Sequence, residues 1–196
     1  DALPIYFTGK TAVVFGASRG IGEGIARVLA ECGATVYLSS RNEKNCKAMC
    51  EKLVAEGYPA AYQAANVSEY DEVDAVLKKA IDETGKLDII VNNAGIVTLG
   101  SFLDTTNEEF RSLLETNLMG ANNGCRAGIK HMIELGTAGK IVNTASFAGR
   151  HAMKEGFAHY GITKAGIIYL TQAAAYAGAD HNINVNAVCP GIIRSD

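Results

Sequence analysis

Thr11-Ala-Val-Val-Phe15-Gly16-Ala-Ser-Arg-Gly20-Ile-Gly22-Glu-Gly24 is the stretch on which the fold turns. Five residues without a charge, stopped by glycine, read as a buried strand. Ile21, Ile25, Val28 and Leu29 then recur at helical spacing and predict a helix over 21–32, with Gly33 just past its end. Between the two, the glycines allow a tight turn and let backbone approach a ligand closely, while the helix N-terminus offers unpaired N–H groups. A glycine cluster that follows a strand and opens a helix is the setting of a pyrophosphate-binding turn. Gly16, Ser18, Arg19, Gly20, Ile21 and Gly22 are therefore candidate cofactor contacts.

The same alternation continues outward. Strands are expected over 35–39, 60–65, 87–91, 140–144 and 183–188, and helices over 42–56, 69–84, 107–135 and 157–178. Six strands alternating with helices imply right-handed crossovers and a mostly parallel sheet covered on both faces. The expected class is α/β, a doubly wound Rossmann fold in three αβα layers, with ligands at the carboxyl ends of the strands. Residues 9–196 read as one domain. Residues 1–8 fit no element and read as a non-native leader. Asp196 follows Pro190-Gly191-Ile-Ile-Arg-Ser without a closing element, so the domain is expected to lack its last strand and substrate lid.

Tyr160-Gly-Ile-Thr-Lys164 lies fourteen residues after Ser146. Tyr and Lys four apart share a helix face, where an ammonium favours a phenolate and is expected to draw the phenol below its usual value of about 10. A tuned phenol and a nucleotide turn in one domain point to hydride transfer with a proton shuttle. In the second strand the place of a ribose-reading carboxylate holds Ser40 and then Arg41. A guanidinium there welcomes a 2′-phosphate, with Arg19 as a second charge, so NADP(H) is expected over NAD(H), which stays possible.

Bulk properties narrow the partners. The 196-residue chain carries a net charge of −3, and Lys78-Lys79 is its only basic doublet in a helical region, which argues against nucleic acid. Five cysteines are an odd number without framework spacing. Cys46 and Cys50 stand four apart without a histidine or second pair, so no metal site is expected and reduced thiols in a cytoplasm are the plain reading. The uncharged run 165–179 is too short to span a membrane and is expected to be a helix buried on more than one side. His159 should face away from Tyr160, and His151 lies in the loop where substrate passes. His131 and His181 read as helix-end or surface residues.

In these motifs the chain resembles the short-chain dehydrogenase/reductase family from about Gly9 onward. Gly16-x-x-x-Gly20-x-Gly22, Asn92-Asn93-Ala94-Gly95, Asn117, Ser146, Tyr160-x-x-x-Lys164 and Pro190-Gly191 occur in the family's order. Ser40-Arg41-Asn42-Glu43-Lys44 is similar to NADPH-dependent reductases of the tropinone reductase kind. The resemblance implies Tyr160 as general acid/base and Lys164 as the residue that tunes it and grips the nicotinamide ribose. It implies Ser146 on the substrate oxygen and Asn117 holding a water that links Lys164 to solvent. Asn93, Ala94 and Gly95 would line the cofactor, Asn66 and Val67 would hold the adenine, and Pro190, Gly191 and Ile193 the nicotinamide end. Phe15 where a Thr is usual, Asn66 for Asp and Thr163 for Ser are departures. The implied activity is oxidation or reduction of a small-molecule carbonyl/secondary alcohol pair by a homodimer or homotetramer. A 3-oxoacyl thioester reductase and a non-catalytic NADP(H)-sensing module are the alternatives.

Overall fold

The computed structural model describes residues 6–153 and 156–193. Positions 1–5 of the expected leader and 194–196 of the terminus lie outside the described residues. At the other edge of that leader, the Phe7 N–H donates to the Cys32 carbonyl at 2.7 Å, and its ring packs against the first core cluster described below.

Six strands form one parallel sheet: β1 (Thr11–Phe15), β2 (Thr35–Ser39), β3 (Ala60–Tyr62), β4 (Ile89–Asn92), β5 (Lys140–Thr144) and β6 (Asn184–Val188). Their order is β3-β2-β1-β4-β5-β6, with every pair parallel. The chain runs outward from β1 to β3 on one side, then crosses to β4 and runs outward on the other. That reversal opens a crevice at the carboxyl ends of β1 and β4. Helices α1 (Gly20–Glu31) and α2 (Glu43–Ala55) cover one face. On the other face lie α3 (Tyr70–Thr84), α5 (Gly120–Glu134) and α6 (Ala158–Ala179). Alternation along β1 shows why the pattern reads as a continuous apolar run. Ala12 and Val14 enter the cluster under α1 and α2 with Leu29, Leu38 and Leu53, while Val13 and Phe15 enter the opposite one with Leu77, Ile90 and Ile141.

Phe15 is 1% exposed, so the residue that departs from the family's usual Thr supplies core contact instead of a hydroxyl. The turn after it is fastened by main chain: Gly16 N–H donates to Ser39 O at 2.7 Å and Asn93 N–H to Phe15 O at 3.2 Å. Gly16 has φ +77°, and a Cβ on it would lie 2.6 Å from Ala94 Cα. Only glycine fits both conditions.

Two expectations are corrected by packing. The helix expected over 107–135 is α4 (Asn107–Leu113), a π-helical segment (Leu114–Met119) and α5. The wider turn carries Asn117 inward, where its amide bonds to Ile96. The uncharged run 165–179 buries only one side: Ile167, Thr171 and Ala174 face the sheet, whereas Tyr169 and Tyr176 are 74% and 86% exposed. Lack of charge there goes with an apolar outer face that the chain itself does not cover. His131 stands at a helix end as expected, in the last turn of α5, and also links two helices, its Nε2 lying 2.7 Å from Asp74 on α3. Lys78 and His131 hold the Asp74 carboxyl low against the upward pull of burial. Among the described residues no helix is long and apolar enough to cross a membrane.

Candidate active site

A two-lobed cleft opens at the carboxyl ends of β1, β2, β4 and β5. One lobe, about 240 Å³, is lined by Gly16, Ser18, Arg19, Ser40, Arg41, Val67, Asn93, Ala94 and Gly95, among others. The other, about 480 Å³, is lined by Arg19, Gly20, Ile21, Ser146, Tyr160, Lys164, Pro190 and Gly191, among others. Arg19, Asn93, Gly95 and Ile96 line both, so the lobes adjoin along a shared wall.

The glycine turn leaves α1 ready for an anion. Its N-cap residue, Arg19, is extended and makes no side-chain cap, so the first N–H groups of α1 remain available. Gly22 sits beneath the turn, where a Cβ would lie 2.6 Å from Asn93 Nδ2; that amide donates to Gly16 O at 3.2 Å. Arg19 and Arg41 are exposed at the mouth of the first lobe and make no ion pair among the described residues.

In the second lobe Ser146 follows β5, and its Oγ accepts the Ala148 N–H at 3.2 Å, capping a short 3₁₀ turn (Phe147–Gly149). A second lone pair on that oxygen remains for a ligand. Tyr160 and Lys164 share one face of the first turns of α6. Lys164 is 4% exposed, donates to Thr144 O at 2.7 Å and has its Nζ 5.6 Å from the Tyr160 ring centroid. Burial pushes the Lys164 ammonium down to about 8, opposed weakly by Cys189. Burial also raises the Tyr160 phenol, and the Ser146 side chain opposes that. The expectation that Lys164 lowers the phenol is therefore corrected: desolvation acts on both groups, and the ammonium is turned to a strand-end carbonyl.

Four expected contacts do not line the cleft: Gly22, which lies beneath the turn, and Asn66, Asn117 and Ile193. Asn66 turns its Oδ1 to its own loop, accepting the Ser68 N–H at 3.4 Å, while its backbone N–H goes to Glu72 at 2.7 Å. Its neighbour Val67 lines the first lobe. Ile193 is 54% exposed in irregular chain after β6, where no partner strand among the described residues holds it. Asn117 stands behind the cleft wall, its Oδ1 accepting the Ile96 N–H at 2.8 Å and its Nδ2 donating to Ile96 O at 2.9 Å. With the side chain so engaged, a water held at this position must use the main chain.

His159 points away from the cleft, stacked on Phe102 at 5.3 Å and edge-on to Phe110 at 4.8 Å. His151 is exposed beside Phe147. No cluster of three or more His, Cys, Asp or Glu residues placed to hold a metal occurs among the described residues. Sequence reasoning missed Ile96 and Thr144. Both act through main-chain atoms, so side-chain identity carries no signal.

A family model described as short chain dehydrogenase matches residues 10–196. The chain is 38% identical over 188 residues to oxidoreductase UcpA of Salmonella typhimurium, covering 96% of this chain and 71% of that protein. It is 39% identical over 188 residues to the 3-oxoacyl-[acyl-carrier-protein] reductase FabG of Staphylococcus aureus, covering 95% and 76%. A crystal structure of a short-chain type dehydrogenase/reductase from Mycobacterium marinum superposes with a TM-score of 0.94 at 35% identity, covering 97% of this chain and 78% of that one.

Proposed function

The chain belongs to the short-chain dehydrogenase family, and we propose that it is a cytoplasmic oxidoreductase that moves a hydride between NADP(H) and a carbonyl or secondary alcohol, with Tyr160 as general acid/base. One observation carries this reading: Ser146, Tyr160 and Lys164 line a lobe that adjoins the glycine-turn lobe and shares Arg19, Asn93, Gly95 and Ile96 with it. The residues present fit a dinucleotide. Gly16 lies too close to Ala94 for any side chain, and the uncapped start of α1 faces the same space.

When bound, the cofactor supplies or accepts the hydride. The chain does the rest. Ser146 Oγ–H donates to the substrate oxygen and stabilises charge that develops there. Tyr160 Oη gives its proton to that oxygen in reduction and takes it back in oxidation. Lys164 Nζ would hold the nicotinamide ribose beside Tyr160. Arg41, with Arg19, would hold a 2′-phosphate.

The purified protein is expected to oxidise NADPH faster than NADH over a panel of ketones. Arg41→Asp should weaken NADPH use by about 10- to 100-fold and leave NADH little changed. Equal loss with both cofactors would remove the phosphate role, and no turnover with any ketone would favour the sensing module. Reduction of a 3-oxoacyl thioester is the second reading, favoured by the likeness to FabG, so acetoacetyl-CoA belongs in the panel. The reading includes a homodimer or homotetramer, supported by the apolar outer face of α6 and the π segment, where Leu118, Met119, Tyr169 and Leu170 line an open groove. Light scattering should give a mass at least twice the 20.7 kDa of one chain; a monomer at working concentration would refute it.

A further inference from the structure

We propose that Thr163 is a positioning residue whose hydroxyl locks the π segment to the turn of α6 that carries Tyr160 and Lys164; this rests on the reading of Tyr160 as the proton donor. Thr163 is 0% exposed. Its Oγ1 accepts from Asn117 Nδ2 at 3.0 Å and donates to the Tyr160 carbonyl at 2.8 Å.

The direction of each bond is forced. Asn117 faces both the N–H and the carbonyl of Ile96, so its Oδ1 must meet the donor and its Nδ2 the acceptor. The second Nδ2 hydrogen then has only Thr163 to reach. Thr163 Oγ1 is thereby the acceptor in that contact, and its own proton goes to Tyr160 O. A one-way chain results: the loop after β4, through Ile96, to Asn117, to Thr163, to the main chain of the residue that carries the phenol. Ile96 lines both lobes of the cleft. The Thr163 hydroxyl therefore sets how the cofactor-side wall sits relative to Tyr160, although it touches neither lobe.

Thr163→Val keeps the branched shape and deletes the hydroxyl. Asn117 Nδ2 then has a buried hydrogen without an acceptor, and the catalytic turn loses its tether. A displacement of an ångström or less at the reacting groups lowers kcat by about 10- to 100-fold. The NADPH dissociation constant should change little, because Asn117 still clamps Ile96 through two bonds. Thr163→Ser, which restores the hydroxyl, should recover most of kcat.

The experiment measures kcat, KM and NADPH affinity for the parent, Thr163→Val and Thr163→Ser. Alongside, the Tyr160 phenol is titrated by tyrosinate absorbance, with Tyr160→Phe counterparts subtracted. Support is a kcat loss in the valine variant with near-parental NADPH affinity, rescue by serine, and a Tyr160 titration displaced upward in the valine variant only. Unchanged kcat in Thr163→Val, even with a lowered melting temperature, overturns the proposal, as does equal loss in both variants. If the parent turns over no substrate, the oxidoreductase reading fails by itself. The titration then still decides the positioning claim: coincident curves for parent and Thr163→Val sink it.

Discussion

Tyr160→Phe should lower kcat for ketone reduction by about 10³-fold while leaving NADPH affinity within a few-fold of the parent. The variant deletes one oxygen and keeps the ring that packs near Phe157, at 6.4 Å between centroids, so the fold has no reason to change. Burial raises the phenol, with Ser146 opposing. A raised phenol stays protonated at neutral pH, which is the form that donates in reduction; oxidation needs the phenolate and is favoured at higher pH. Lys164 has the opposite limit, since burial lowers it to about 8 and its positive charge is lost above that pH. The kcat/KM for reduction should thus have an alkaline limb beginning near pH 8 that reports Lys164 in the free enzyme. Lys164→Met should be slow and lack that limb. A Tyr160→Phe variant retaining more than a tenth of parental kcat would remove the phenol from the mechanism.

The legible parts of this chain are those in which side-chain identity itself carries the physics. β1 shows in the sequence because both of its faces are buried, and the nucleotide turn because Gly16 needs a positive φ and room beside Ala94. Tyr160 and Lys164 show because helical periodicity puts residues four apart on one face. The π segment does not show. Leu114-Glu-Thr-Asn-Leu-Met119 contains no glycine or proline, and its wide turn is selected by Ile96, an amide partner 21 residues away. Thr163 shows only as a departure from Ser, because the sequence does not say that its hydroxyl meets Asn117 and the Tyr160 carbonyl. The environment of Lys164 was equally hidden: only the assembled fold puts Thr144 O within 2.7 Å and removes the solvent around it. The run 165–179 misled for a related reason, since a sequence free of charge does not say how many of its faces are covered.

Gly149→Ala should be nearly as damaging as loss of a catalytic group, although Gly149 carries no chemistry. The 3₁₀ turn after Ser146 lies backbone to backbone on α6. A Cβ at position 149 would stand 2.6 Å from Lys164 C, 2.7 Å from Ala165 N and 2.8 Å from Lys164 O; one on Gly161 would stand 2.8 Å from Ala148 O. Main chain inside a helix cannot swing aside as a flexible side chain can, so the turn and α6 must separate by something near an ångström. That separation acts on the distance from Ser146 to Tyr160 and Lys164, because Gly149 is tied to Ser146 by an N–H to carbonyl bond of 3.0 Å. The loss in kcat/KM should be about 10²-fold, with destabilisation of about 1–3 kcal/mol from overpacking. Gly24 is the natural control, since a Cβ there meets nothing within 4 Å and alanine suits a helix. Urea unfolding and steady-state kinetics on both variants decide the matter. Should Gly149→Ala match Gly24→Ala in stability and turnover, the seat between turn and helix does not set the geometry of the site.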